Sequence, residues 1–354
     1  MYKGRNVKGQ ASWRKAQVTA PLLLLAVLVL ALGGCGGEGT SSSGGGSSAL
    51  SQVQSIQLPG VEGRIDHMAA DLENGRLFVA ALGNNTLEVI DLKAGKRIDE
   101  IKDLQEPQDV AYVPEANRLI VSNGGAGTLD IYDGQSLRLI NKVELKEDPD
   151  NIRYDPTTRR AYVGYGKGDG SALGVINAQK NTKAVDIELS GHPESFQLES
   201  KGKRIFVNVP TAGHVAVVDR EKGAVVDTWP IREAKDNFPM ALDETDHRLF
   251  VGTRSPAKLL VLDTDTGKTV SSLDSSGDAD DIFYDAEAKR IYVSGGEGAV
   301  SVFEQTDPDD YKLIGKVDTA EGARTSLFVA QSGTLYVAVP HRGNQQAEVR
   351  AFKA

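Results

Sequence analysis

One four-residue pattern recurs seven times at a nearly constant step, and nothing else in the chain restricts its fold so tightly. Arg76-Leu-Phe-Val79 returns as Arg118-Leu-Ile-Val121, Arg160-Ala-Tyr-Val163, Arg204-Ile-Phe-Val207, Arg248-Leu-Phe-Val251 and Arg290-Ile-Tyr-Val293, and, with Thr for Arg, as Thr334-Leu-Tyr-Val337. The successive steps are 42, 42, 44, 44, 42 and 44 residues. A β-rich unit of about 40–45 residues has the length of four short strands, one blade of a propeller. The spacing predicts an all-β chain: a seven-bladed β-propeller with four antiparallel strands per blade. Stacked units build one continuous array, so 354 residues need not divide into two globular domains.

The first unit shows how each divides. Residues 65–71 are expected to form an inner strand and 76–81 the next, with Gly83, Asn84 and Asn85 in a turn. Residues 86–91 alternate, placing Leu87, Val89 and Asp91 on one side of the pleat and Glu88 and Ile90 on the other. Asp91 and Gly95 then turn the chain into an outer strand, a spacing repeated by Asp219 with Gly223 and Asp263 with Gly267. The seventh unit reaches Ala354 after only three strands. Residues 53–58 look like the outer strands at 142–145 and 185–189, so they are expected to close the ring as the fourth strand of blade 7. Closure hides two sheet edges that would otherwise invite aggregation.

Residues 118–133, RLIVSNGGAGTLDIYD, resemble the YVTN-type propeller repeat, a Tyr-Val-Thr-Asn tetrad ahead of a Thr-Val-x-Val-Ile-Asp strand. The nearest copy of the tetrad is Ile120-Val-Ser-Asn123, a degenerate form. The resemblance runs over residues 51–354 and is strongest to the exported, YncE-like group. It implies the fold, and the family has no shared catalytic motif to carry over. WD repeats need recurrent Trp-Asp and quinoprotein dehydrogenases repeated tryptophans; beyond residue 34 this chain has one tryptophan, Trp229.

The N-terminal segment reads as an export signal. Residues 1–20 carry Lys3, Arg5, Lys8, Arg14 and Lys15 and no acid, and residues 21–32 are apolar. That apolar run is too short to span a bilayer as a helix but suits a signal peptide. Leu32-Gly33-Gly34-Cys35 resembles the lipobox of bacterial lipoproteins, which implies cleavage before Cys35 and a lipid on its sulfur. The expected organisation is a signal peptide over 1–34, the lipidated Cys35 with a Gly/Ser-rich tether over 35–49, and the propeller over 50–354. The tether reaches roughly 20 Å by random-coil scaling. The protein is expected outside the cytoplasm, on a bacterial outer membrane facing the periplasm or on the cell surface, and touching the membrane only through the lipid. Cys35 is the only cysteine, which excludes a disulfide, a thiol nucleophile and a Cys-ligated metal from the folded part. Cleavage would change the formal charge from −9 to −14, with 35 Lys+Arg against 49 Asp+Glu. With no basic stripe in the sequence, nucleic acid is excluded as a partner.

No catalytic motif is present. Gly267-Lys-Thr269 lacks the earlier glycine of a phosphate loop, Leu262 standing there, and Gly-x-Ser-x-Gly is absent from the domain. Asp263, Asp265 and Gly267 begin a calcium-loop spacing that lacks its third acid and ends on Asp274 instead of Glu.

Stacking the units exposes a second pattern. The four residues lying twelve to nine before each repeat start are 64–67, 106–109, 148–151, 192–195, 236–239, 278–281 and 322–325. They fall where inner strands begin, so all seven windows are expected to ring one mouth of the central channel. Ten of these 28 residues are acidic against 49 of the 320 that follow residue 34, a more than twofold enrichment that marks this mouth as electronegative. The bland reading is that Asp, Asn and Pro simply serve turns here. The residue after each window is apolar in six copies, so the fourth window residue is expected to face the channel. Candidate ligand-binding residues are Arg64, Asp66, His67, Asp109, Asp150, Asn151, His192, Glu194, Ser195, Asn237, Asp280, Asp281, Arg324 and Thr325. His341 and Arg342 join them from a loop opening on the same face, and His67 with His341 is a candidate metal pair.

The expected function is non-enzymatic binding of a ligand or protein partner at the acidic mouth by a monomer. No cofactor is assigned; a divalent cation is the one candidate. The alternatives are a lactonase-like or other metal-dependent hydrolase using His67, His192 or His341 as acid–base, and a metal-carrying accessory protein of a periplasmic system. Cys35→Ala should move the protein from the membrane to the soluble fraction or block its processing. Fractionation checks this, and a processed variant still on the membrane would contradict it.

Overall fold

A computed structural model describes residues 49–353. The expected signal peptide, Cys35 and nearly all of the tether lie outside the described residues. The described residues form seven antiparallel four-stranded sheets. Blade 1 comprises Met68–Asp71, Arg76–Ala81, Thr86–Asp91 and Lys96–Ile101, hydrogen-bonded in chain order from the inside out. Blades 2 to 6 repeat the order over residues 107–144, 152–188, 196–230, 235–274 and 279–318. Blade 7 takes Ser326–Val329, Thr334–Val339 and Glu348–Lys353 from one end of the chain and Ser51–Gln57 from the other.

Blade stacking explains the repeat. Seven apolar clusters fill the seven gaps between neighbouring blades. Each second strand is buried on both faces, which is why it reads as a nearly unbroken apolar run and not as an alternation. The third strand differs from expectation for the same reason. Thr86–Asp91 is buried on both sides, and Glu88, expected opposite the apolar face, is fully buried against Thr86 and Arg97, the latter at 2.7 Å.

The recurring Arg links blades. Arg76 donates to Asp71 of its own blade and to the Gly134 carbonyl of blade 2 at 2.6 Å. Arg204 pairs with Glu199 and reaches the Thr264 carbonyl of blade 5, and Arg248 reaches the Pro308 carbonyl of blade 6 at 2.9 Å. The guanidinium groups of Arg76 and Arg204 lie over Phe78 and Phe206, two residues on. In blade 7 Thr334 is buried instead and donates to the Ser332 carbonyl of its own turn.

The turn chemistry is as expected. Asp91 Oδ1 accepts from the Ala94 N–H at 2.8 Å, and Gly95 adopts φ +61°, a left-handed conformation that glycine takes without strain. Ring closure also follows the sequence, displaced by a residue or two from 53–58. Ser51–Gln57 pairs antiparallel with Glu348–Lys353, bulged between Gln52 and Gln54. Gln57 donates to Glu348 at 2.6 Å, while Ile56 is 0% exposed in the cluster between blades 7 and 1.

Ile56→Ala should cost about 2–5 kcal/mol of unfolding free energy, the usual range for emptying a packed aliphatic site. Val53→Ala, on the exposed face of the same strand, should change it by about 0.5 kcal/mol or less. Urea unfolding of both variants checks the contrast.

Candidate functional site

The seven windows sit where inner strands begin, and they are irregular there. Pairing with the second strand slips between Pro107 and Val110, Asn237 and Met240, and Ala279 and Asp281. Such bulges re-aim side chains. The first window residue takes a left-handed backbone at Glu106, Asp148, Asp236 and Asp278, with φ of 50°, 58°, 59° and 53°. Gly322 does the same in blade 7. Asp tolerates this conformation better than most side chains. Part of the acid enrichment therefore serves the backbone, as the bland reading held.

The third window residue faces the mouth. Gln108, Asp150, Glu194, Phe238, Asp280 and Arg324 line one cavity of about 140 Å³ with Arg64, His67, Asp148, His192 and Arg254. Asp66, the third residue of blade 1, is fully buried against Arg64 at 2.7 Å. The expectation that fourth residues face the channel holds for His67, Asp109 and Asp281, which border a channel cavity, although only His67 among the fourth residues also lines the mouth cavity. Most fourth residues form a belt of contacts between blades beneath it. Asp109 accepts from the Ile152 N–H at 2.7 Å, and Asp281 from the Ser326 N–H at 2.8 Å. Arg153 gathers Asp109, Asn151 and Ser195 at 3.4, 3.2 and 3.4 Å. Thr325 donates to the Ile65 carbonyl at 3.4 Å. Below the belt, His67, Asp109 and Asp281 border a larger channel cavity of about 440 Å³, lined further in by Tyr112, Tyr154 and Tyr284.

Three candidates lie elsewhere. Asn237 is buried and donates to Asn208 at 2.8 Å and the His214 carbonyl at 3.1 Å, tying blade 5 to blade 4. His341 contacts Glu62 at 2.7 Å and Arg342 contacts Glu321 at 2.8 Å, and neither lines the mouth cavity. His67 pairs with Asp281 at 3.2 Å and His341 with Glu62, so the two imidazoles share no acidic partner. Arg254, which the sequence places near this mouth with Thr253, Ser255 and Pro256 but outside the seven windows, lies near the end of the second strand of blade 5, Arg248–Ser255. Its guanidinium lies 3.6 Å from the Phe238 ring centre and 2.6 Å from Asp280.

The mouth is electrostatically divided. Around Asp280 stand three guanidinium groups: Arg254, Arg324 at 3.5 Å and Arg64 at 3.7 Å. Arg324 also holds Asp278 at 2.9 Å. Across from them, blades 3 and 4 contribute Asp150, His192 and Glu194, whose ligating atoms all lie within 4.8 Å of one another. Neither Asp150 nor Glu194 has a cation at salt-bridge distance among the described residues. Burial, then the neighbouring Glu194 charge, pushes the Asp150 carboxyl well above the usual carboxylate range. Burial and the Asp280 charge push Glu194 up to about 8. His192 donates from Nδ1 to the Gly166 carbonyl at 2.7 Å, which leaves Nε2 as the ring's free acceptor. Gly166 has φ +94°, and a Cβ there would lie 2.3 Å from the Gly170 carbonyl oxygen, so only glycine supplies this support.

His67 gives the belt a pH dependence. Burial opposes its charging, but Asp281, Asp66 and Asp109 outweigh burial and hold its pKa well above the ordinary imidazole value. Asp150 also faces it electrostatically, and Arg64 stands nearby on the same window. The folded state thus binds the proton more tightly than the unfolded chain. This stabilisation is complete below about pH 6.5, the unfolded value, and is lost as pH rises through the folded pKa. Unfolding free energy should fall with rising pH above that point, and His67→Gln should remove the component. Urea unfolding across pH with both proteins checks the sign.

No family model matches the chain. Over 188 residues it is 24% identical to the uncharacterized protein YncE of Salmonella typhi, and over 187 residues equally so to that of Salmonella typhimurium. The chain spans about half the length of these curated relatives, 52% in each case. Among solved structures, a chain of Kuenenia stuttgartiensis hydrazine synthase superimposes with a TM-score of 0.73 at 18% identity, covering 84% of this chain and 99% of that one. U3-55K gives 0.73 at 9% identity over 86% and 98%. The RRP9 WD40 repeats give 0.72 at 9% over 85% and 97%. At these identities the structural likeness establishes the fold alone. With the seven four-stranded blades, it makes this chain a seven-bladed β-propeller, similar in sequence to YncE over about half of its length.

Proposed function

We propose that this protein is a non-enzymatic binding propeller, held outside the cytoplasm by a lipid on Cys35, that receives a cation or a cationic group of a partner at its mouth. The observation that carries the reading is the uncompensated acidic half of that mouth. The three arginines are committed to Asp66, Asp278 and Asp280, whereas Asp150 and Glu194 have no cation of their own at salt-bridge distance. Burial and neighbouring acids favour the protonated form of both groups in the free protein, so an arriving positive charge displaces their protons and pairs with the carboxylates that form. The net charge of the chain draws cations toward it from a distance.

A fluorescein-labelled lysine pentapeptide is the direct probe. Anisotropy should report saturable binding that weakens with salt and drops at least fivefold in Asp150→Asn and Glu194→Gln. No binding to the wild type, or equal binding to both variants, would contradict the reading.

A further inference from the structure

Asp150, His192 and Glu194 come from the inner-strand windows of two adjacent blades. His192 and Glu194 stand two residues apart just ahead of Phe196–Leu198, and their ligating atoms, with that of Asp150, lie within 4.8 Å of one another. Asp150 faces them from blade 3 and is 8% exposed, and its Oδ1 has no hydrogen-bond partner. A buried carboxylate oxygen is rarely left so, because desolvation without a partner is costly. The mouth cavity lies in front of it. His192 is fixed by its Nδ1–H bond to the Gly166 carbonyl, the outer support that orients metal-ligating imidazoles and leaves Nε2 to bind. The blade 4 window also departs from its relatives: His192 replaces the left-handed Asp or Glu found at this position in four others.

We propose that Asp150, His192 and Glu194 form a binding site for a divalent transition-metal ion of the Zn²⁺ class. The inference rests on the reading of the mouth as a cation site and names the cation. Ligands about 2.1 Å from a tetrahedral Zn²⁺ stand about 3.4 Å apart, so atoms already within 4.8 Å need only small side-chain rotations to close on the ion. One imidazole with two carboxylates suits Zn²⁺ better than Ca²⁺, which asks for about six to eight oxygens. Two carboxylates neutralise the ion, and three protein ligands leave a fourth position open to the cavity. Arg64, Arg254 and Arg324 border the same cavity, so an anionic group bound to the metal would meet guanidinium groups across the mouth.

Calorimetry of the full-length chain with Zn²⁺ alone tests the site. The expected result is one ion per chain, bound more tightly than Ca²⁺, with Asp150→Asn, His192→Gln and Glu194→Gln each weakening it at least tenfold. Asp274→Asn, exposed at the end of the outer strand of blade 5 and away from the mouth, should bind as the wild type does. Should a ligand variant fail to fold, Co²⁺ added to the wild type decides: strong visible bands of a four- or five-coordinate ion support the site, and the weak spectrum of hydrated Co²⁺ overturns it. No Zn²⁺ uptake by the wild type, or uptake unchanged by the three substitutions, also overturns it. Lysine-peptide binding without Zn²⁺ uptake removes the metal and leaves the cationic mouth standing, whereas absence of both removes the mouth reading as well.

Discussion

Every blade buries both faces of its sheet against a neighbour, and the rest of the structure depends on that. A four-stranded sheet with two apolar faces is insoluble alone, so the units can only stack, and stacking on a curve must end in closure. Ser51–Gln57 provides it by pairing with Glu348–Lys353 across nearly the whole length of the chain. Three arginines of the repeat, Arg76, Arg204 and Arg248, reinforce the stack by reaching carbonyl groups on the next blade. The mouth inherits its geometry from this ring, since adjacent inner strands deliver their first residues to a common axis whatever those residues are.

The ring was legible in the sequence because burial on both faces imposes a strong and periodic demand. The apolar tetrads, the Asp and Gly turns and the closing strand all answer to it. The mouth was only partly legible, and the reason is a register effect. Bulges shift the pairing at Pro107–Val110, Asn237–Met240 and Ala279–Asp281, and the windows of blades 3 and 4 precede their inner strands, so strict alternation does not carry into them. Alternation points the fourth residue into the channel, where His67, Asp109 and Asp281 lie, whereas the mouth cavity above is lined mainly by third residues. Asp109 and Asp281 therefore cap amides of neighbouring blades, and Asp150, Glu194 and Asp280 meet at the mouth. Asp148, Asp236 and Asp278 illustrate a different ambiguity, because an acid that enables a left-handed turn reads the same in sequence as an acid that binds a ligand. His341 was grouped with the mouth through its loop, but its imidazole is turned toward Glu62.

What singles out the Asp150–His192–Glu194 cluster is the lack of compensation. Several other buried acids are matched by a cation, Asp71 with Arg76, Glu88 with Arg97, Asp155 with Arg220 and Asp280 with three arginines, and Asp243 is held by two backbone N–H groups and Gln305. A fold this careful about buried charge leaves two carboxylates and a supported imidazole facing one small cavity. Burial and neighbouring acids favour the protonated forms of both carboxyls, and an arriving cation displaces those protons.

The most direct test of that account is an anomalous difference map at the zinc absorption edge, from crystals of the protein grown with Zn²⁺. The account predicts a peak bounded by Asp150, His192 Nε2 and Glu194. An empty mouth, or zinc bound only elsewhere on the surface, would contradict it.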